Sequence, residues 1–115
     1  MKNVVIAGYA RSPFHFAKKG ALARVRPDEL CAQVIASLIE RTKVDPADIE
    51  DVIVGCAMPE GEQGLNVARP VSLLAGLPVE TSAMTINRFC SSGLQALAIA
   101  VPKLDSGAVL LWSTA

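Results

Sequence analysis

The chain has 115 residues, the length of one ordinary domain, and its 11 Lys and Arg balance 11 Asp and Glu. A neutral chain with 4% aromatic residues has neither the basic excess nor the stacking platforms of a nucleic-acid binder, so nucleic acid is set aside as a partner. At 51% hydrophobic and 19% charged it is too apolar to be disordered, yet its apolar runs fall far short of the roughly 20 residues of a membrane span. Met1-Lys2-Asn3 before a short apolar stretch and Arg11 carries no signal-peptide pattern, and the cytoplasm is the expected compartment. Cys31, Cys56 and Cys90 are an odd set without a C-x-x-C pair or a histidine at ligand spacing, which argues against a disulfide framework and against a metal site.

In chain order, Asn3 to Tyr9 reads as a first strand buried on both faces, since Val4, Val5 and Ile6 are β-branched and Gly8 closes the run. Arg11 to Arg26 reads as a surface loop with Phe14 and Phe16 tucked back under it. Pro27 suits a first helical position, and Asp28 and Glu29 complement the positive end of the helix dipole. Leu30, Cys31, Val34, Ile35, Leu38 and Ile39 then form one apolar stripe, which predicts an amphipathic helix ending near Lys43. Asp45 caps a short turn before a strand over 51–58, and strand, helix, strand predicts a parallel pair joined by a crossover.

A glycine-punctuated loop, Glu60 to Gly64, leads to a helix over 66–77 with Asn66 as its cap and Val67, Val71, Leu74 and Ala75 on one face. Gly76-Leu77-Pro78 ends it, and 82–89 is a third strand with Met84 and Ile86 on one side and Thr85 and Asn87 on the other. After Cys90, Leu94, Leu97, Ala98 and Val101 mark a helical stripe, but Ala96, Ile99 and Ala100 leave hardly any polar face, the pattern of a helix buried on all sides. Ala108 to Trp112 reads as a last strand.

The chemistry points to Asn87-Arg88-Phe89-Cys90-Ser91-Ser92-Gly93-Leu94-Gln95, where a cysteine falls between strand and helix. A thiol on the first turn of a helix faces unpaired N–H groups and the positive dipole end, both of which favour the nucleophilic thiolate. Ser91, Ser92 and Gly93 would leave room for a substrate carbonyl, and the Cys90 N–H is placed to donate to an oxyanion. Spacing alone leaves a rival reading open, a cysteine that is only a small apolar filler.

That segment, continued by Ala96-Leu97, resembles the nucleophile motif of the thiolases, above all the degradative 3-ketoacyl-CoA thiolases. Arg11-Ser12-Pro13-Phe14 with Gly20-Ala21-Leu22, Asp51 to Gly55, and Glu62 to Arg69 with Ala75 to Pro78 resemble further segments of the family in order, covering residues 1 to about 100. The resemblance implies an α/β, thiolase-like fold in which this chain is part of the N-terminal half, with a mostly parallel core sheet and a buried nucleophile helix. It also implies an acyltransferase of fatty-acid β-oxidation with Cys90 as nucleophile. Cys90 would attack the 3-keto carbon of a 3-oxoacyl-CoA, acetyl-CoA would leave as its enolate is protonated, and coenzyme A would take the acyl group from the cysteine. Coenzyme A is then a substrate rather than a tightly bound cofactor, acyl-CoA the substrate class, and a homo-oligomer the expected assembly. The histidine and second cysteine that serve as base and acid in the family lie in its other half, so the isolated chain is expected to be inactive.

Departures from the family accompany the matches. Pro102 stands where the nucleophile helix should continue and predicts an early end to it. Residues 101–115 resemble the family only loosely, which points to a truncated thiolase domain from a frameshifted or shortened gene. His15, the one histidine, sits in a polar loop and is expected to be solvated. Cys31 and Cys56 read as core residues, and Lys18, Lys19, Arg24 and Arg26 as a solvated loop rather than a phosphate site. Two rivals stay in view: a ketoacyl carrier-protein synthase relative, whose motif also reads Cys-Ser-Ser, and a non-catalytic module that pairs with a full-length thiolase through an open sheet edge.

Overall fold

The computed structural model describes residues 3–104 and the backbone of 109–114. Helix α1 spans Pro27–Thr42, strand β1 Ile49–Gly55, helix α2 Ala68–Leu74, strand β2 Ser82–Ile86, helix α3 Ser92–Lys103 and strand β3 Val109–Thr114. The three strands form one parallel sheet in the order β2-β1-β3. Among the described residues no helix is long and apolar enough to cross a membrane.

β1 is central because its residues are apolar on both faces. Val52, Ile53 and Val54 are fully buried, as expected for a parallel strand covered by helices on two sides. Val52, Val54 and Cys56 join Cys31, Ala32 and Ile35 of α1, Val67 just before α2, and Ala68 and Val71 of α2 in one core. Ile53 points the other way, to Ala96 and Ala100 of α3. Ile49 belongs to the first core despite its odd number, since the pairing with β3 is irregular between Ile49 and Asp51 and the pleat loses its parity there. On β2 the predicted alternation holds: Met84 and Ile86 pack on the α3 side and Ala83 on the other.

Local chemistry explains the boundaries. α1 begins at Pro27 as predicted and ends where Lys43 turns left-handed, its N–H returning to the Ile39 carbonyl at 3.0 Å. Asp45 caps the following 3-10 turn, accepting from the Ala47 N–H at 2.9 Å. α2 is shorter than the predicted 66–77 and is not capped by Asn66. Thr85 of β2 accepts the Ala68 N–H at 3.0 Å, while Asn66 accepts from the Thr85 hydroxyl at 2.6 Å and donates to the Ala83 carbonyl. Gly76, at φ +86, turns the chain out of α2.

Four expectations fail. Residues 3–9 form no strand: the segment runs beside α1, where Arg41 donates to the Tyr9 carbonyl at 3.0 Å and Val5 stays 75% exposed. The crossover that joins parallel neighbours is instead the α2 connection from β1 to β2. Phe14 and Phe16 are exposed, not tucked under their loop. α3 is not buried all round, because its buried face is Ser92, Gly93, Ala96 and Ala100 while Leu94 is 68% exposed. α3 ends one residue past Pro102. It runs to Lys103, since the proline falls in the last turn and the Ala98 carbonyl it leaves unpaired belongs to an exposed residue that water can reach.

Arg26, at the end of the loop before α1, is half-exposed and ion-paired. It pairs with Asp28 at 3.0 Å and Glu62 at 3.4 Å. The guanidinium hydrogen bond holds the Asp28 carboxyl below the ordinary carboxylate range, against burial that pushes the other way. A carboxyl that titrates lower when folded than when unfolded adds stability above its ordinary range, and that contribution is lost as the pH falls through the folded value. Asp28→Asn is therefore expected to flatten the acid limb of stability, read as urea midpoints from about pH 2 to pH 7; an unchanged limb would refute the pairing.

Candidate active site

β2 ends at Ile86, three residues before the predicted boundary, because the side chain of Asn87 turns the chain. Its Oδ1 accepts the Phe89 N–H at 2.8 Å and its Nδ2 donates to the Ala57 carbonyl at 3.3 Å. Phe89 then adopts φ +49, and Ser91 is the residue that caps α3. Cys90 lies immediately before that cap, one position outside the helix rather than on its first turn, and it is exposed. Cys31 and Cys56 are buried, as expected of core residues. Exposure at a strand-to-helix junction removes the filler reading for Cys90, because a filler thiol has to be covered.

An open groove of about 590 Å³ lies alongside, walled by Arg88, Phe89, Ser91, Leu94, Gln95 and Ala98. Its walls come from the residues on either side of Cys90 and not from Cys90 itself. Of the three small residues expected to leave room for a carbonyl, only Ser91 lines this space. Ser92 and Gly93 are buried against Gly55, where a Cβ on residue 55 would stand 2.6 Å from the Ser92 carbonyl carbon and 2.8 Å from the Gly93 nitrogen. Their smallness serves helix-to-strand approach.

β1 sets the depth of the site through three alternate positions. Asp51, Ile53 and Gly55 all face α3, with Gly55 under its first turn, Ile53 against Ala96 and Ala100, and Asp51 at its last turn, where it accepts from Lys103 Nζ at 2.6 Å. α3 thus runs back along β1 and is held at both ends. His15 is exposed in its loop, as expected, and among the described residues no group of three or more His, Cys, Asp or Glu side chains is placed to hold a metal ion. Sequence reasoning missed Gly55 as a site-shaping residue and gave Ser92 a different role, space for a substrate. The one available signal was two runs of small residues, at the end of a strand and at the start of a helix.

A sheet of parallel strands with helices on both faces, and an exposed cysteine between a strand end and a helix start, define an α/β domain with its candidate site at the sheet's carboxyl end. The family described as thiolase, N-terminal domain, matches residues 4–111, so the chain belongs to the thiolase family. It is 51% identical over 108 residues to a 3-ketoacyl-CoA thiolase of Bacillus subtilis (strain 168), covering 94% of this chain and 28% of that protein. A 3-ketoacyl-CoA thiolase of Saccharophagus degradans is 46% identical over 107 residues, 92% of this chain and 27% of its own length. One from Psychrobacter cryohalolentis is 42% identical over 106 residues, again 27% of its length. The chain thus spans little more than a quarter of the curated relatives it matches.

Proposed function

We propose that this domain carries the acyl-accepting cysteine of a degradative thiolase, an acyltransferase that cleaves 3-oxoacyl-CoA to acetyl-CoA and a shortened acyl-CoA in fatty-acid β-oxidation. The observation that supports this best is the exposure of Cys90, alone of the three cysteines, at the strand-to-helix turn. Cys90 Sγ bonds to the 3-keto carbon, and the oxyanion accepts from the Cys90 N–H. The bond between carbons 2 and 3 breaks, its electron pair leaves with acetyl-CoA and is protonated, and the thiol of coenzyme A then takes the acyl group and frees the cysteine. Coenzyme A and its thioesters are substrates, and the working enzyme is a cytoplasmic homo-oligomer.

Turnover requires a base and an acid besides the nucleophile. His15 is the single histidine and sits on an exposed loop, so these 115 residues alone stop at the acyl-enzyme. The decisive experiment is incubation with acetyl-CoA followed by intact-mass and peptide mapping. An acetyl group on Cys90 is expected, with Cys90→Ser lowering the rate by on the order of a thousandfold. No adduct, or one on another side chain, refutes the assignment.

A second reading follows from the surface. Ile6, Tyr9, Phe14, Leu65 and Leu94 are large apolar side chains left in water, more than a monomer usually scatters over one small domain. They suit a domain that packs against further thiolase sequence, and co-purification with a full-length thiolase tests it.

A further inference from the structure

The turn that presents Cys90 is strained, and a buried hydroxyl holds it. Phe89 sits at φ +49, where a bulky residue is disfavoured, and its side chain is 71% exposed, so packing does not hold it there. Ser92 is 4% exposed. Its Oγ accepts the Arg88 N–H at 2.9 Å and donates to the Phe89 carbonyl at 2.6 Å, gripping the chain on both sides of Phe89. The hydroxyl thereby uses one donor and one acceptor. Asn87 supports the same turn through the Phe89 N–H. Ser91, which stands at the cap, makes no side-chain capping bond, so the serine inside the helix does the holding.

We infer that Ser92 is a positioning residue for Cys90: its hydroxyl locks Phe89 in the left-handed conformation and so aims the thiol at the acyl group. This rests on the acylation of Cys90 proposed above. Ser92 is buried beside the turn, and it acts through the backbone of Arg88 and Phe89, the two residues before Cys90. A glycine at position 89 takes the same backbone angles without strain and makes the lock dispensable.

The test is a double-mutant cycle in the full 115-residue chain, using Ser92→Ala with and without Phe89→Gly. Three quantities are read: the rate of Cys90 acetylation by acetyl-CoA, the intraresidue HN–Hα NOE of residue 89, which is strong at positive φ, and iodoacetamide labelling of Cys31 and Cys56. Ser92→Ala is expected to slow acetylation about ten- to a hundredfold and to weaken the Phe89 NOE, with Cys31 and Cys56 still protected. Relative to Phe89→Gly alone, adding Ser92→Ala is expected to cost less than about threefold. Equal losses in both backgrounds, or an unchanged NOE, overturn the inference. If Ser92→Ala unfolds the chain and exposes Cys31 and Cys56, the Phe89→Gly background decides by regaining protection and rate or failing to. Should the parent chain take no acetyl group, the acylation reading falls, and the lock stands or falls on the NOE.

Discussion

Gly55→Ala is expected to lower the stability of the domain by about 3 kcal/mol, the upper end of overpacking costs, because the new methyl meets backbone rather than a side chain that can swing away. A Cβ at position 55 would lie 2.6 Å from the Ser92 carbonyl carbon, 2.7 Å from its oxygen and 2.8 Å from the Gly93 nitrogen. Relief requires the first turn of α3 to lift off β1, and Ile53 then loses its cover from Ala96 at the neighbouring contact. For a chain of this length the loss corresponds to a melting point lower by roughly 10–20 °C. The same movement displaces the Arg88-to-Ser92 turn, so acylation of Cys90 is expected to fall together with stability. Thermal melts of the two proteins decide it, and a shift under about 3 °C would show that α3 does not rest on Gly55.

Lys103→Met is expected to cost about 2 kcal/mol, below the 3–5 kcal/mol typical of breaking a buried pair because the lysine end is open to water. The side chain of Asp51 is 6% exposed and that of Lys103 43%. One carboxylate oxygen accepts from the ammonium at 2.6 Å, and the other is buried without a hydrogen-bond partner among the described residues. Removing the lysine leaves a carboxylate with neither water nor a partner, whereas removing both charges leaves a gap that an apolar pair can fill. Asp51→Leu with Lys103→Met should therefore recover most of the loss. Urea denaturation of the two single variants and the double variant measures the coupling, and a neutral Lys103→Met would show that the pair contributes nothing.

Much of the site was legible in the chain. Asn87 through Leu97 carry the resemblance to the family and the candidate cysteine, and the turn from β2 into α3 falls there. The arrangement of Cys90 differs in detail: it precedes the cap, because Asn87 and the positive φ of Phe89 consume the residues that a simple strand-to-helix junction would have placed in the helix. Ser92 and Gly93 looked like space for a substrate and are instead the contact that seats α3 on Gly55. A small residue reads alike in both roles. Only its neighbour across space distinguishes them.

What the sequence by itself determined is local. Pro27, Asp28 and Glu29 with a stripe at helical spacing specify α1, the apolar run 52–54 specifies a strand, and Met84 with Ile86 share one side of β2, since each signal lies within one element's period. What only the tertiary structure decided is who faces whom. Val4, Val5 and Ile6 have the composition of a strand, but a strand needs a paired neighbour, and this segment lies beside α1 instead, where Arg41 donates to the Tyr9 carbonyl. The cap of α2 comes from Thr85 on another element, and α3 buries its smallest residues rather than its largest because close approach to Gly55 leaves no room for a leucine. Strand pairing, borrowed caps and backbone contact depend on residues distant in the chain, so local periodicity carries no record of them.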